Sequence, residues 1–134
     1  MIKIILASHG SFAAGLREAA EMIMGDQKDL EVFGLYPGDT LESFSQKVEK
    51  AVEEFNDPEN TLILTDLMGA TPSNTALLMS LKHKTYALSG MNLPVLIELL
   101  SIRDEMGIED VIKEISAVGK KGIIRSIELQ EGRV

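Results

Sequence analysis

Residues Met1–Ser11, MIKIILASHGS, contain the stretch that decides the fold. Ile2–Leu6 is apolar apart from Lys3, is rich in β-branched residues, and has the length of a buried strand. Small polar residues and a glycine follow at Ala7–Ser11, a pattern typical of the turn between a strand and a helix. Backbone amides in such a turn are free to bind a ligand. His9 lies in the middle of this predicted turn, and we interpret its imidazole as the group that carries the chemistry.

The composition predicts one globular domain over residues 1–134. Apolar residues make up 45% of the chain, enough for a real core, yet no apolar stretch has the length of a membrane span. The first apolar run is too short for a signal peptide and lacks a basic region before it. Cysteine is absent, which excludes disulfides and thiolate metal sites. These features together predict a cytoplasmic protein.

The charge balance indicates which partners to expect. The chain has 13 basic and 21 acidic residues, for a net charge of −8. This charge argues against nucleic acid and against an anionic membrane surface as partners. A protein with a basic docking surface remains compatible with it, because opposite fields steer association.

Hydrophobic periodicity predicts strands and helices that alternate along the chain. The predicted strands are Ile2–Leu6, Leu30–Tyr36, Thr61–Leu64, Lys84–Ser89 and Ile123–Leu129. The predicted helices follow Ser11, start after Asp39 or Thr40, run from Thr71 to about Lys82 and from Pro94 to about Arg103, and extend from Ile108 to a break at Gly119–Gly122. Such alternation predicts an α/β fold, a three-layer sandwich around a mainly parallel, doubly wound sheet with a C-terminal edge strand. The helix from Pro94 is apolar nearly all round, which we interpret as a subunit interface.

Right-handed crossovers place the turns after the first, third and fourth strands at the carboxyl edge of the sheet. Ligands in doubly wound folds bind where successive helices leave on opposite faces. If the first strand lies beside the third, His9 and Asp66 face each other across that crevice. Asp66 would then hold one ring nitrogen of His9 and stabilise positive charge on the imidazole, which leaves the other nitrogen to accept a phosphoryl group. The alternatives are a polar turn residue for His9 and a local cap of the Gly69 turn for Asp66.

A phosphoryl group requires hydrogen-bond donors, and two turns supply them. Both turns lead into helix N-termini, whose dipoles favour an anion. The hydroxyl of Thr71 is a further candidate donor, although ordinary N-capping is an equally good and compatible role for it. No metal and no cofactor is predicted. The candidate phosphate-binding amides are those of Ser8, Gly10, Ser11, Gly69, Ala70 and Thr71.

His83 and Met68 are two further residues of interest. His83 precedes the fourth strand, on the amino edge of a parallel sheet, about 17–20 Å from His9 by the length of a strand. We therefore predict a surface role for His83 and no shared metal site. Met68 lies in the turn at the active edge, where it would pack against a partner or shield the phosphoryl group.

Three motifs carry a family resemblance. They are Ser8–Gly10 after the N-terminal strand, Thr65–Asn74 (TDLMGATPSN) and Ser89–Leu96 (SGMNLPVL). In this order and spacing they resemble the mannose-family EIIA domain of the bacterial sugar phosphotransferase system, and the resemblance covers residues 1 to about 118. Met68 departs from the pattern, because tryptophan is often expected at its position.

The resemblance implies a phosphotransferase component that acts as a phosphocarrier. The histidine matching His9 takes a phosphoryl group from phospho-HPr and passes it to EIIB, for sugar uptake and phosphorylation. The aspartate matching Asp66 orients that histidine, and the residue matching Thr71 lies near the phosphate. Family members are homodimers whose C-terminal edge strand can exchange, and they associate with membrane EIIC and EIID only indirectly. Because the chain reaches Val134 without a linker to a fused EIIB, we expect a free-standing subunit.

Other functions fit the sequence less well. A response-regulator receiver needs an acidic pair after the first strand, where this chain has Ser8 and His9. A histidine phosphatase normally has arginine just before the histidine, and here that position is Ser8. The phosphoryl-donor subunit of a dihydroxyacetone kinase, or a regulatory EIIA-like protein, would share His9 but serve another acceptor. A binding module without enzymatic activity would keep the fold and need no histidine.

Overall fold

The computed structural model describes residues 1–132 and is built around a four-stranded parallel sheet. The strand order is β2-β1-β3-β4, so β1 pairs with β2 on one side and with β3 on the other. This arrangement confirms the predicted α/β fold and the predicted neighbours β1 and β3. The strands are β1 Lys3–His9, β2 Leu30–Leu35, β3 Thr61–Thr65 and β4 Tyr86–Ser89.

The helices cover both faces of the sheet and complete a three-layer, doubly wound sandwich. One face packs against α1, α4 and α5, and the other packs against α2 and α3. None of the helices within residues 1–132 is both long and apolar enough to cross a membrane. The helices are α1 Phe12–Met24, α2 Leu41–Phe55, α3 Thr71–His83, α4 Leu93–Ile102, α5 Ile108–Lys121 and α6 Ser126–Gln130, with a 3₁₀ turn at Pro58–Asn60.

The central strand β1 supplies side chains to both cores. Successive residues of a strand point to opposite faces. Ile4 and Leu6 accordingly join the core under α1, α4 and α5, while Ile5 and Ala7 join the core under α2 and α3. All four are fully buried, which explains why the sequence shows a continuous apolar run instead of an alternating one.

The apolar character of α4 is explained within the chain. Val95, Leu96, Leu99 and Leu100 are buried in one core, and α4 packs between α1 and α5. Burial within the chain therefore accounts for these four residues, and the predicted subunit interface at this helix stays a prediction. The helix α5 continues through Gly119 to Lys121, so the predicted break at Gly119 is wrong. Glycine is needed there for close packing, because a Cβ would overlap the side chain of Val95.

The predicted strand Ile123–Leu129 is wrong for the chain as the structure describes it. Residues 122–125 form no regular element, and Ser126–Gln130 form α6. Strand β4 lies at the edge of the sheet and pairs only with β3 among the described residues. Among the described residues the segment pairs with no strand and instead follows its local preference, since Glu128, Leu129 and Gln130 are good helix formers. Exchange of this segment with a second copy remains a prediction.

Candidate functional site

The two sequence-predicted turns meet at the carboxyl edge of the sheet, between β1 and β3. The helix after β1 covers one face and the helix after β3 covers the other, so this edge is the topological switch point. His9 is the last residue of β1 instead of the middle of the turn, and Asp66 follows the last residue of β3. The crevice therefore holds both side chains that the sequence proposed as partners.

Asp66 holds His9 by its ring and by its backbone. The Oδ2 atom of Asp66 lies 2.7 Å from His9 Nδ1 and accepts the backbone amide of His9 at 2.9 Å. Its Oδ1 atom accepts the amide of Leu67 at 2.9 Å. An ionised carboxylate can only accept, so Nδ1 carries the hydrogen and Nε2 keeps its lone pair. The His9 side chain is 48% exposed, so Nε2 is the ring nitrogen left to react.

Asp66 is kept in its ionised form by these contacts. Burial alone raises the pKa of Asp66, but hydrogen bonds from the His9 amide, the His9 ring and the Leu67 amide lower it further than burial raises it. The net pKa lies below the ordinary value for an aspartate. The carboxylate therefore carries its negative charge at neutral pH, where it can stabilise positive charge on the ring.

Ser8, and not Ser11, supplies the side-chain cap of α1. The buried Ser8 Oγ accepts the amide of Ala13 at 2.8 Å and donates to the carbonyl of His9 at 3.1 Å. Ser11 occupies the N-cap position but makes no side-chain cap bond. The side chain of Ser8 thus fastens the residue that carries the imidazole to the start of α1.

The start of α3 also differs from the sequence interpretation. Thr71 is the first residue of the helix, and the N-cap is Ala70, so the predicted capping role of Thr71 is wrong. Ser73 Oγ accepts the amides of Gly69 and Ala70 at 2.9 and 3.1 Å. Within residues 1–132, the hydroxyl of Thr71 has no hydrogen-bond partner and so remains available to a ligand.

The structure divides the six predicted phosphate-binding residues into two groups. The amides of Gly69 and Ala70 are taken by Ser73, and the amide of Gly10 donates to Leu35 O at 2.8 Å. Ser8 lies inside β1. The amides of Ser11 and Thr71 have no acceptor in the part of the chain that the structure describes, so these two are the donors that remain free.

Gly34 is a site residue that the sequence interpretation missed. It lies in β2, and a Cβ at this position would overlap the backbone carbonyl oxygen of Gly10 and approach Tyr36. Only glycine therefore lets the chain after His9 pass so close to β2. A glycine inside an otherwise apolar strand, as in LEVFGLY, was the available signal.

A second link that we had not predicted joins the turns after β3 and β4. The buried Thr65 donates its hydroxyl to Ser89 at 3.1 Å, and its carbonyl accepts the amides of Gly90 and Met91 at 3.0 Å each. Both turns are thereby fixed to the end of the same strand. Thr65 thus orders the backbone immediately before Asp66.

The two turns also expose apolar side chains to solvent. Phe12 and Leu67 are about half exposed, and Met68 is 77% exposed. Met68 Sδ lies 4.0 Å from Ser89 Oγ, a long contact that leaves most of its surface open. These three residues, here called the apolar rim, provide surface that a visiting protein can bury.

His83 makes its contacts away from His9 and Asp66. Its Nε2 lies 2.6 Å from Glu49 Oε2, and Lys82 Nζ lies 2.7 Å from the same oxygen. The hydrogen bonds from Lys82 and His83 lower the pKa of Glu49. The cluster links α3 to α2 at the surface, in agreement with the predicted role. No group of three or more candidate metal ligands occurs among residues 1–132.

The chain is similar to proteins of known family. The EIIA-man family model, described as the PTS system fructose IIA component, matches residues 3–116. The fructose-specific EIIA component of Bacillus subtilis is 28% identical over 90% of this chain and 84% of its own length. The sorbose-specific EIIA component of Lacticaseibacillus casei is 30% identical over 87% and 85% of the respective chains. The crystal structure of an EIIA component from Streptococcus agalactiae superposes with a TM-score of 0.86 at 29% identity, covering 93% of this chain and 97% of that one.

The family match includes both elements that carry the crevice, since residues 3–116 contain β1 through most of α5. EIIA proteins are phosphotransferase components, which agrees with an oriented imidazole open to solvent. The resemblance inferred from three short motifs is therefore confirmed over most of the chain, and the protein belongs to the EIIA-man family of the sugar phosphotransferase system.

Proposed function

We propose that this protein is a phosphocarrier in which His9 Nε2 accepts a phosphoryl group from phospho-HPr and passes it to EIIB. One observation supports the proposal above all others. The Nδ1 atom of His9 lies 2.7 Å from an ionised carboxylate, while the side chain is 48% exposed and Nε2 has no hydrogen-bond partner among the described residues. This arrangement fixes the tautomer that a nucleophilic imidazole needs.

In the proposed step, the lone pair of Nε2 attacks phosphorus and the N–P bond forms. The bond between phosphorus and the donor breaks, and its electron pair stays with the donor. Nδ1 keeps its hydrogen throughout, so no proton has to leave the ring. Asp66 stabilises the positive charge that develops on the imidazole. Transfer to EIIB runs the same step in reverse on a new acceptor.

The phosphoryl oxygens need donors near the start of α1 and α3. The free amides of Ser11 and Thr71 and the hydroxyl of Thr71 are the first candidates, and both helix N-termini favour the negative charge. Phosphoryl transfer depends chiefly on such positioning and charge stabilisation. Ser8, Gly10, Gly69 and Ala70 shape these turns and would contribute amides only if their present hydrogen bonds were exchanged.

Protein partners are proposed from the exposed apolar surface. The apolar rim lies in the same turns as His9 and Asp66, so we assign it to docking of HPr and EIIB. Association with membrane EIIC and EIID would then be indirect, through EIIB. A second exposed apolar surface lies near the C-terminus, where Ile123 is 94% exposed and Leu129 is also exposed.

We further propose a homodimer in which the segment Ile123–Leu129 of each copy covers the unpaired edge of β4 in the other. An unpaired strand edge offers backbone donors and acceptors to such a segment. Light scattering would then give about twice the chain mass of 14.7 kDa. A monomeric mass would contradict the dimer without affecting the proposal for His9.

The central test is phosphate uptake in a reconstituted system. With phosphoenolpyruvate, enzyme I and HPr, we expect one acid-labile, base-stable phosphoryl group per chain by intact-mass measurement. His9→Gln should abolish uptake, and the matched variant His83→Gln should retain it, because the ring of His83 pairs with Glu49 at the surface between α2 and α3. Uptake that survives His9→Gln, or no uptake by the wild-type protein, would contradict the carrier function.

A further inference from the structure

Ser73 makes an unusual set of contacts in the turn that follows Asp66. Its Oγ atom accepts the amides of Gly69 and Ala70 and donates to Ala70 O at 3.0 Å. A hydroxyl has one hydrogen to donate and two lone pairs to accept with. All three are used inside the turn, and the side chain is nearly buried. Ser73 therefore has no hydrogen-bonding capacity left for a ligand.

The start of α2 shows what a serine at this position does elsewhere in the chain. There the N-cap Thr40 and Ser43 form a reciprocal capping box, with Ser43 N donating to Thr40 Oγ1 and Thr40 N donating to Ser43 Oγ. In α3 the N-cap is Ala70, which has no side-chain acceptor. Ser73 instead gathers two consecutive amides, one of them from Gly69, which adopts a positive φ of 87°.

Two backbone amides that converge on one oxygen form the arrangement that binds an anion in many phosphate sites. Here the oxygen belongs to the protein. The hydroxyl thus satisfies the two amides before any phosphoryl group arrives, and it leaves the amide and hydroxyl of the next residue, Thr71, unpaired within the described chain. Ser73 thereby determines which amides of this turn remain free to bind a phosphoryl group.

We propose that Ser73 is a positioning residue for the phosphoryl transfer at His9. Its hydroxyl closes the turn from Asp66 to Ala70, withdraws the amides of Gly69 and Ala70 from ligand binding, and leaves Thr71 as the donor from this side of the crevice. The inference rests on the proposed function and names the donors of the same site. It predicts that phosphorylation leaves the Gly69 and Ala70 hydrogen bonds in place.

The test combines transfer kinetics with amide NMR on the full chain. Ser73→Ala should lower kcat for transfer from phospho-HPr about tenfold with KM little changed, because the turn carrying Asp66 loses its closure. Ser73→Thr, which keeps the hydroxyl, should restore most of the rate. In the wild-type protein, phosphorylation should shift the amide resonances of Ser11 and Thr71 strongly and those of Gly69 and Ala70 weakly.

Thr75→Val is the matched control, since Thr75 is buried on the same helix and its hydroxyl lies 2.9 Å from Ser45 Oγ, away from the turn. It should lower thermal stability but leave transfer unchanged. Wild-type rates for Ser73→Ala would overturn the proposal, as would strong phosphorylation shifts at Gly69 and Ala70. A wild-type protein that takes up no phosphate would overturn the proposed function, and this inference with it, before any variant is compared.

Discussion

Asp66 and Arg103 are charged side chains at opposite edges of the sheet, and both are stabilised by backbone groups. Asp66 accepts two amides and the ring of His9 at the carboxyl edge. Arg103 donates to Ile2 O through Nε at 3.1 Å and through Nη2 at 2.6 Å, and to Asp29 O at 3.1 Å, at the amino edge. The negative carboxylate of Asp66 accepts backbone amides at the carboxyl edge, and the positive guanidinium of Arg103 donates to backbone carbonyls at the amino edge.

The difference between the two residues is access. Arg103 is 4% exposed, and burial lowers its pKa, but a guanidinium stays protonated and its carbonyl partners are fixed parts of the fold. Asp66 has one partner, the His9 ring, that reaches solvent. A buried charge held by backbone carbonyls, with Gln27 Oε1 at 3.4 Å as its side-chain acceptor, holds the fold together, whereas one that orients an exposed side chain can support chemistry. The comparison therefore predicts opposite effects of mutation at the two edges.

Arg103→Met should have the largest effect of these substitutions, and that effect should be a loss of stability. The substitution keeps much of the apolar stem but leaves the carbonyls of Ile2 and Asp29 without their donors, so the free energy of unfolding should fall by about 3 kcal/mol. Urea unfolding would measure the loss. Phosphate uptake per folded molecule should remain that of the wild-type protein, and a specific loss of uptake would break the comparison.

Asp66→Ala should show the reverse pattern. Without the carboxylate the His9 ring loses its orientation and its charge partner, so transfer should slow on the order of 10²-fold. The fold should persist, because Asp66 lies at the rim of the core and not within it. Rapid-quench measurement of phosphate uptake would test this expectation, and unchanged transfer kinetics would remove the orienting role of Asp66.

Gly34→Ala should lower both the stability and the transfer rate, with a smaller effect than either substitution above. The added Cβ would overlap Gly10 O, so β2 and the turn after His9 must separate, at a cost of about 2 kcal/mol. Transfer should also slow, because the strained turn carries His9. Gly15→Ala, in α1, is the matched control. It meets open space and should stabilise the protein by roughly 0.5–1 kcal/mol.

The smallest expected effect concerns pH. Because the folded pKa of Asp66 lies below its unfolded value, its contribution to stability is present above about pH 4 and is lost as pH falls through the folded pKa. Urea midpoints measured between pH 6 and pH 2 should therefore fall less steeply for Asp66→Asn than for the wild-type protein. Equal slopes would mean that Asp66 is not selectively stabilised as a carboxylate.

Local patterns predicted the parts of the site that depend on the ends of strands. The buried run before His9 and the one before Asp66 are readable as strands, and right-handed crossovers then require both residues at the same edge. The 2.7 Å contact between His9 and Asp66 follows from that topology once β1 lies beside β3. His83 was placed outside the site by the same reasoning, at the other end of a strand.

The features that the sequence did not predict share a different cause. The sequence cannot indicate that the Ser8 hydroxyl accepts the amide of Ala13, or that the Gly10 amide reaches Leu35 O, because each bond depends on distances set by packing. The sequence likewise cannot indicate that α4 packs between α1 and α5, which buries much of its apolar surface within the chain. The C-terminal strand was predicted from β-branched residues, although strand formation depends on packing against cross-strand neighbours, and this segment pairs with no strand of the described chain.

The sequence by itself determined the order of strands and helices, the buried strand before each turn, and the two side chains, His9 and Asp66, that meet at the carboxyl edge. These follow from the periodicity of apolar residues and the handedness of crossovers, which act over short stretches of chain. Only the tertiary structure decided which backbone amides stay free for a ligand and why position 34 must be glycine. Those outcomes depend on hydrogen bonds and close approaches between segments far apart in the chain, and such distances exist only once the chain is folded.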